Sequence, residues 1–170
     1  MDKTTERLFI GLWPAPSVRE ALAAYRDAYT WPRSAALVAT PKLHLTLHFL
    51  GDVSVEAIAP LRAALALPFS PFELCLGLPV SWHGGIAVLE PFATPPALMA
   101  LHQQLAEVLD ALGLPRDARA YKPHVTMARR AVGAVPPPQP LDLDWSVRDF
   151  SLMASRGGIY DTLQHYPATA

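Results

Sequence analysis

Apolar residues recur along this chain with two periods, one typical of strands and one typical of helices. Short β-rich runs predict strands over residues 7–13, 43–50, 72–78, 86–89, 123–129, 149–154 and 159–166. Apolar residues three and four positions apart predict helices over residues 16–29, 54–65 and 96–112, with Ser54 capping the second helix and Gly113 ending the third. The prolines between residues 136 and 140 predict a loop. This order of elements predicts an α+β protein.

One short pattern of polar and apolar residues occurs twice, in two of the predicted strands. Its copies are His44-Leu45-Thr46-Leu47 and His124-Val125-Thr126-Met127. Since side chains alternate between the faces of a strand, each copy presents a histidine and a threonine on one face and packs its apolar residues behind them. We expect two pseudo-symmetric lobes of antiparallel sheet with outer helices, whose motif strands face each other across a central cleft. A single bilobal domain would then span residues 1–170.

Composition and charge exclude several classes of protein. With 51% hydrophobic and 17% charged residues the chain is globular in composition, and its net charge of −1 argues against a nonspecific nucleic-acid coat. The single cysteine, Cys75, excludes an intramolecular disulfide and a thiolate cluster for zinc. The apolar run at residues 8–13 is too short for a signal or membrane segment. We therefore expect a soluble cytoplasmic protein that makes no membrane contact, with a monomer as the default.

Cations accompany both copies of the motif. Lys42 precedes the first copy, and Lys122, Arg129 and Arg130 bracket the second. In a protein of net charge −1, this grouping indicates that an anion binds between the two strands. Two imidazoles that titrate near neutral pH can act as acid and base, while hydroxyls and a guanidinium can contact phosphate oxygens. The combination fits the cleavage of a phosphodiester.

The longer strings around the two motifs resemble those of a known family. HLTLHFLGDV at residues 44–53 and YKPHVTMAR at residues 121–129 resemble the two-histidine (2H) phosphoesterases. They are most similar to the RNA 2′,3′-cyclic phosphodiesterase branch, also described as 2′-5′ RNA ligases. RLFI at residues 7–10, FSLMAS at residues 150–155 and Tyr160 match as well. The resemblance implies the bilobal 2H phosphoesterase fold and a reaction that uses no metal and no other cofactor.

The resemblance also implies a reaction and the residues that perform it. The expected reaction is hydrolysis of the 2′,3′-cyclic phosphate on RNA 3′ ends or nucleotides, which yields a 2′-phosphate. His44 is predicted to protonate the leaving 3′ oxygen and His124 to activate water. Thr46, Thr126 and Arg129 are predicted to bind the phosphate.

The alternation of side chains along the strands bears on two other residues. Strict alternation puts Arg129 on the face opposite the motif side chains, so its role requires a bulge or a strand end; by parity alone, Arg130 is the alternative. His48 falls on the same face as the first motif. We interpret it as a polar residue at a strand end, with a nucleotide contact at the cleft rim as the alternative.

The remaining histidines and the aromatic residues are assigned mainly structural roles. His83, His102 and His165 lack partners in the sequence pattern and are expected to be surface or structural residues. Four aromatic residues that could stack on a base are expected to belong to the core, namely Phe9, Trp31, Tyr121 and Tyr160.

Three other functions fit parts of the pattern. The chain could be a non-catalytic module that binds RNA ends in the same cleft, or it could chiefly join RNA through 2′-5′ linkages, the reverse reaction. It could also be a metal hydrolase that uses His44 and His48. A spacing of four residues aligns ligands on a helix rather than on a strand, and no Asp or Glu lies within the motif.

Overall fold

The computed structural model describes residues 4–169. Within these residues, one antiparallel sheet is accompanied by three helices and a short 3-10 turn at Thr40–Lys42. The helices are α1 (Pro16–Asp27), α2 (Val55–Ala64) and α3 (Pro96–Ala111). The strands are β1 (Thr5–Leu12), β2 (Ala36–Leu37), β3 (Leu45–Ser54), β4 (Phe72–Trp82), β5 (Ile86–Pro91), β6 (Val125–Arg129), β7 (Leu143–Val147), β8 (Asp149–Arg156) and β9 (Ile159–Pro167).

The periodicity of the sequence predicted all three helices and seven of these strands. It missed β2, which has only two residues, and β7, which follows the proline-rich loop. Gly113 ends α3 at a positive φ of 66°, as predicted for the residue after a helix. Ser54 occupies the N-cap position of α2, as predicted, but its side chain makes no capping hydrogen bond.

The order of strands in the sheet divides it into two matching halves. The order is β7-β4-β5-β6-β3-β1-β8-β9, and β2 pairs with β6 outside this path. The first half therefore contains β3, β1, β8 and β9, and the second contains β6, β5, β4 and β7. The last two strands of the chain return to the half that holds the first strand. The sheet is curled, and the predicted bilobal α+β fold is confirmed.

A row of buried residues crosses the sheet where the two halves join. Leu45 pairs with Val125 between β3 and β6, and the row continues into β1 and β5 through Leu12 and Leu89. All four side chains are fully buried and belong to the main core. Burial of each contributes about 1.5–3 kcal/mol, so this row holds the register of the central strands.

The helices pack on this core through apolar stripes. Val18, Leu22 and Tyr25 of α1 are buried at helical spacing, as are Leu101 and Leu105 of α3. Alternation along the strands then turns the polar residues beside the buried row toward the other face of the sheet. None of the helices within residues 4–169 has the length and apolar character required to cross a lipid bilayer.

Candidate active site

The pairing of Leu45 with Val125 brings the two copies of the motif together. Because these strands are antiparallel, His44 lies opposite Thr126, and Thr46 lies opposite His124. All four side chains line one cleft of about 460 Å³ at the junction of the two halves. The structure thus assembles the two histidines and two threonines that the sequence singled out.

The two imidazoles are held in the same tautomer. Nδ1 of His44 donates to the carbonyl oxygen of Lys42 at 2.7 Å, and Nδ1 of His124 donates to that of Lys122 at 2.8 Å. Since a carbonyl only accepts, Nδ1 carries hydrogen in both rings, and Nε2 is the nitrogen that gains or loses a proton. Nε2 of His44 also lies 2.9 Å from the Thr46 hydroxyl, which donates to it when the ring is neutral.

A bulge in β6 brings Arg129 to the cleft. Val88 of β5 pairs with Thr126, but the next residue, Ala87, pairs with Ala128, so Met127 is the extra residue. The bulge reverses the alternation, and Arg129 lines the cleft with the motif side chains. Arg130 is exposed outside the cleft, at a positive φ of 52°.

The same bulge occurs in β3, and it contradicts our expectation for His48. Ile10 of β1 pairs with His48 and the next residue, Gly11, with Thr46, so Leu47 is the extra residue. His48 therefore leaves the face of the motif and is only 3% exposed, while Phe49 lines the cleft in the position that matches Arg129. Both predictions for His48 are therefore wrong, because it lies within β3 rather than at a strand end and is buried away from the rim of the cleft.

His48 is the buried end of a stack of three rings beside the cleft, whose other two rings are half-buried. It lies 4.0 Å from His102 between ring centroids, and His102 lies 3.8 Å from Tyr121. Nε2 of His48 donates to the backbone carbonyl of His102 at 2.9 Å. The Tyr121 hydroxyl donates to the backbone carbonyl of Thr46, also at 2.9 Å. The stack therefore connects α3 to the backbone of the first motif.

The other histidines and aromatic residues differ in part from the prediction. His102 has the partners just described, and Nδ1 of His165 lies 2.8 Å from the Ser151 hydroxyl, while His83 is exposed. Trp31 packs in the core against Tyr29, as expected. Phe9 is buried, as expected, and its ring also lines the cleft. Tyr160, which we had assigned to the core, is only half-buried and lines the cleft instead.

Aromatic rings surround His44. The indole of Trp13 lies parallel to its imidazole, with centroids 4.6 Å apart and planes inclined by 9°. Phe9 and Tyr160 lie 5.2 and 5.8 Å from the same imidazole. Trp13 was not among the residues predicted to be functional, although its place at the end of the first predicted strand, directly before a proline, was a usable signal.

His124 has a different set of neighbours, of which only Lys122 was predicted from the sequence to lie near the motif. The Trp82 ring lies 4.1 Å from its imidazole, and Nε1 of Trp82 donates to Oε2 of Glu90 at 2.8 Å. The ammonium of Lys122 lies 3.7 Å from the same carboxylate oxygen. A carboxylate therefore stands near one of the two histidines.

Burial controls the proton affinity of both imidazoles. It lowers the pKa of His44 below its ordinary value of 6.5; the bond to the Lys42 carbonyl opposes this, and the charges of His124 and Arg129 add to it. Burial also lowers the pKa of His124; its backbone bond and Glu90 oppose this effect. Both rings are thus poised to exchange protons on the acidic side of neutrality.

The cations near the motifs divide into two groups. Lys42 and Arg129 line the cleft, and the ammonium of Lys42 also lies 5.0 Å from the centre of the Tyr160 ring. Lys122 pairs with Glu90, and Arg130 points elsewhere on the surface. Positive charge at the cleft therefore comes from one side chain of each half.

The geometry does not assemble the histidine pair proposed for a metal. His44 lies in the cleft, whereas His48 is buried in the ring stack with its Nε2 bonded to backbone. Within residues 4–169, the side chains that meet in metal-ligating geometry are Cys75, Asp142 and Asp144. None of these three lines the cleft.

Comparison with known proteins assigns the family. The family model of the 2′-5′ RNA ligase superfamily matches residues 14–158. The chain belongs to this superfamily. The family predicted from the two motifs is therefore confirmed.

Relatives within the superfamily cover almost the whole chain. The RNA 2′,3′-cyclic phosphodiesterase of Escherichia coli is 32% identical over 155 residues, which is 88% of this chain and 87% of the relative. The enzyme of the same name from Thermus thermophilus is 30% identical over 181 residues, 94% of this chain and 89% of the relative. The crystal structure of E. coli LigT with 3′-AMP has a TM-score of 0.90 and 28% identity, over 98% of this chain and 100% of that one. The chain is thus a member of a family of enzymes whose fold and length it shares.

Proposed function

We propose that this protein hydrolyses the 2′,3′-cyclic phosphate of RNA 3′ ends or nucleotides to a 2′-phosphate, without a metal. The observation that carries the proposal is the cleft itself. It combines two histidines in the same tautomer, His44 and His124, with two hydroxyls and one guanidinium. Relatives over nearly the full length are named for this activity.

The reaction requires two proton transfers on opposite sides of phosphorus. Water attacks phosphorus in line with the P–O3′ bond, loses a proton to one imidazole, and the departing O3′ gains a proton from the other. We propose His124 as the proton acceptor and His44 as the donor. Nδ1 of each ring stays bonded to a backbone carbonyl, so only Nε2 of each ring exchanges a proton.

The equatorial phosphate oxygens gain negative charge as the ring opens. Thr46 and Thr126 are proposed to donate hydrogen bonds to these oxygens, and Arg129 adds a positive charge with paired N–H donors. The Thr46 hydroxyl, which bonds to Nε2 of His44 in the absence of a ligand, would turn to the phosphate when substrate binds.

The predictions of a monomer, of one domain over residues 1–170 and of a cytoplasmic location stay predictions.

The same groups would catalyse a joining reaction, in which an RNA 5′-hydroxyl attacks the cyclic phosphate, the P–O3′ bond breaks and a 2′-5′ linkage is formed. The name of the superfamily refers to that reaction. Joining requires an RNA 5′-hydroxyl in place of water, so both reactions share the two histidines. A product analysis with and without a 5′-hydroxyl acceptor separates the two activities.

The deciding experiment gives the purified protein an RNA oligonucleotide that ends in a 2′,3′-cyclic phosphate, in the presence of EDTA. We expect ring opening, with the 2′-phosphate identified by ³¹P NMR, and loss of turnover in His124→Ala with an unchanged circular dichroism spectrum. A wild-type protein inert toward several such RNAs refutes the proposal. Tight binding without turnover identifies a binding module, and loss of activity on chelation identifies a metal hydrolase.

A further inference from the structure

The two catalytic histidines have matching surroundings that differ at one position. Each donates from Nδ1 to the backbone carbonyl of a lysine two residues earlier. Each of these lysines places its ammonium over an aromatic ring, Lys42 over Tyr160 at 5.0 Å and Lys122 over Trp82 at 5.5 Å. Each aromatic ring in turn contacts the histidine.

The difference lies directly across the sheet from each histidine. Leu12 pairs with Leu45, so Trp13 lies opposite His44, one position beyond the last registered pair. Leu89 pairs with Val125, so by the same step Glu90 lies opposite His124. The position that holds an indole in the first half of the sheet thus holds a carboxylate in the second.

The Glu90 carboxylate is fixed in place. Its side chain is 16% exposed, Oε2 accepts a hydrogen bond from Nε1 of Trp82 at 2.8 Å, and the Lys122 ammonium lies 3.7 Å from the same atom. The Trp82 ring packs against His124 at 4.1 Å. These contacts form a ring of interactions in which His124 contacts Lys122, Lys122 contacts Glu90, and Trp82 contacts both Glu90 and His124.

Three charged side chains act on the pKa of His124, and two act on that of His44. Around His124, Glu90 favours the imidazolium, while Lys122 and Arg129 disfavour it. Around His44, the charges of His124 and Arg129 both disfavour the imidazolium. Within residues 4–169, the side chains that line the cleft include no carboxylate. Trp13 offers the His44 ring only a polarised aromatic face, which attracts a cation less than a full negative charge does.

We propose that Glu90 is a positioning residue that makes His124 the proton acceptor of the reaction and leaves His44 as the proton donor. A base must become an imidazolium as water attacks, and the carboxylate opposite His124 stabilises that cation. An acid must release its proton, and the apolar surroundings of His44 favour the neutral ring that remains. This inference rests on the proposed function.

The test begins with NMR titration of the histidines, which requires no turnover. Glu90→Gln keeps the acceptor for Trp82 and removes the charge, and we expect it to lower the pKa of His124 by roughly one pH unit and that of His44 by less. Glu90→Asp, which restores the charge, should return the wild-type value. Glu73→Gln, which replaces a carboxylate bonded to Ser146 at the outer edge of the sheet, should change neither histidine.

Kinetics with a modified substrate then separate acceptor from donor. A cyclic substrate whose bridging 3′ oxygen is sulfur has a leaving group that needs no proton. It should restore the turnover of His44→Ala but not that of His124→Ala. Glu90→Gln should lose about threefold in kcat/KM at pH 7 on both substrates, because it weakens the base and not the acid.

Several results would overturn the inference. One is a pKa of His124 that is unchanged in Glu90→Gln and that also does not rise in Lys122→Met, a variant without the competing cation. Another is a loss in Glu90→Gln that disappears with the sulfur substrate, since Glu90 would then act on the donor. Equal effects of Glu90→Gln and Glu90→Asp would show a role in packing alone. A wild-type protein inert toward cyclic phosphates would instead refute the proposed function, and the titration would still report on Glu90.

Discussion

Leu45 and Val125 pair between β3 and β6, and this is the only registered pair between those strands within residues 4–169. The pair is fully buried and joins the two halves of the sheet. Since it is antiparallel, it places each motif histidine opposite the threonine of the other motif. The cleft and its four polar side chains follow from this contact.

Because the two histidines line the same cleft and act in one reaction, the effects of substituting them on kcat should not be additive. His44→Ala and His124→Ala should each lower kcat for ring opening about 10²–10⁴-fold. The double variant should be no more than about tenfold slower than the slower single variant, as found for residues that act as a unit. Single-turnover rates on a cyclic-phosphate RNA measure this, with His83→Ala as the exposed control. Losses that multiply would contradict a concerted pair.

The pH dependence of activity should reflect the lowered pKa values of both histidines. Burial lowers the pKa of His44 and of His124 below 6.5 in the free protein. One ring must be protonated and the other neutral, so a plot of kcat/KM against pH should be bell-shaped. Its decline on the alkaline side should begin below pH 6.5. We expect kcat/KM to fall steadily from pH 6.5 to pH 8.5. A plateau across that range would exclude a protonated histidine as the acid.

Arg129 and Arg130 are adjacent in the chain, but only the first lines the cleft. Arg129→Met should lower kcat/KM about 10²-fold, mostly through kcat, because its charge is needed most when the phosphate oxygens become more negative. Arg130→Met should stay within about twofold of the wild type, since its side chain is exposed outside the cleft. Steady-state kinetics of the two variants provide the comparison. Equal losses of kcat/KM in the two variants would contradict the conclusion that the bulge of β6 directs Arg129, and not Arg130, into the cleft.

The Tyr121 hydroxyl, which donates to the Thr46 carbonyl, should contribute to both stability and activity. Tyr121→Phe should lower the free energy of unfolding by about 1 kcal/mol and kcat by up to about tenfold, because the first motif loses one anchor. Tyr166→Phe is a matched control, since its hydroxyl donates to the backbone carbonyl of Arg62 at 2.8 Å away from the cleft. It should lose similar stability in urea titrations and no activity. The same activity loss in both would show a general effect of stability.

His102 should make the protein less stable at low pH. Burial, together with His48 and Arg116, lowers its pKa to about 4, while in the unfolded chain the value is near 6.5. Between pH 4 and pH 6.5 the folded state therefore binds fewer protons than the unfolded state. The contribution of neutral His102 to the free energy of unfolding is fully present above pH 6.5 and is lost as the pH falls toward 4. Burial shifts the pKa of His48 in the same direction.

Urea unfolding at several pH values tests this expectation. His102→Gln should reduce the slope of the unfolding free energy against pH between 6.5 and 4, and His83→Gln should leave it unchanged. An equal slope in wild type and His102→Gln would assign the pH dependence to other groups.

Local sequence determined the elements of this protein and the identity of its reactive groups. Periods of two and near four predicted seven strands and all three helices, because burial of one face is encoded within each segment. The repeated His-x-Thr pattern predicted which side chains share a face, and the structure brings those four together. Even the need for a bulge before Arg129 followed from counting residues.

Only the tertiary structure decided which residues from distant strands meet. The bulge at Leu47 moved His48 out of the cleft and Phe49 into it, and the pairing of β5 with β6 put Glu90 opposite His124. The return of β8 and β9 brought Tyr160 to His44. Register between strands depends on contacts far apart in the chain, and a shift of one residue exchanges the two faces of a strand. A periodic pattern within one strand carries no information about that register.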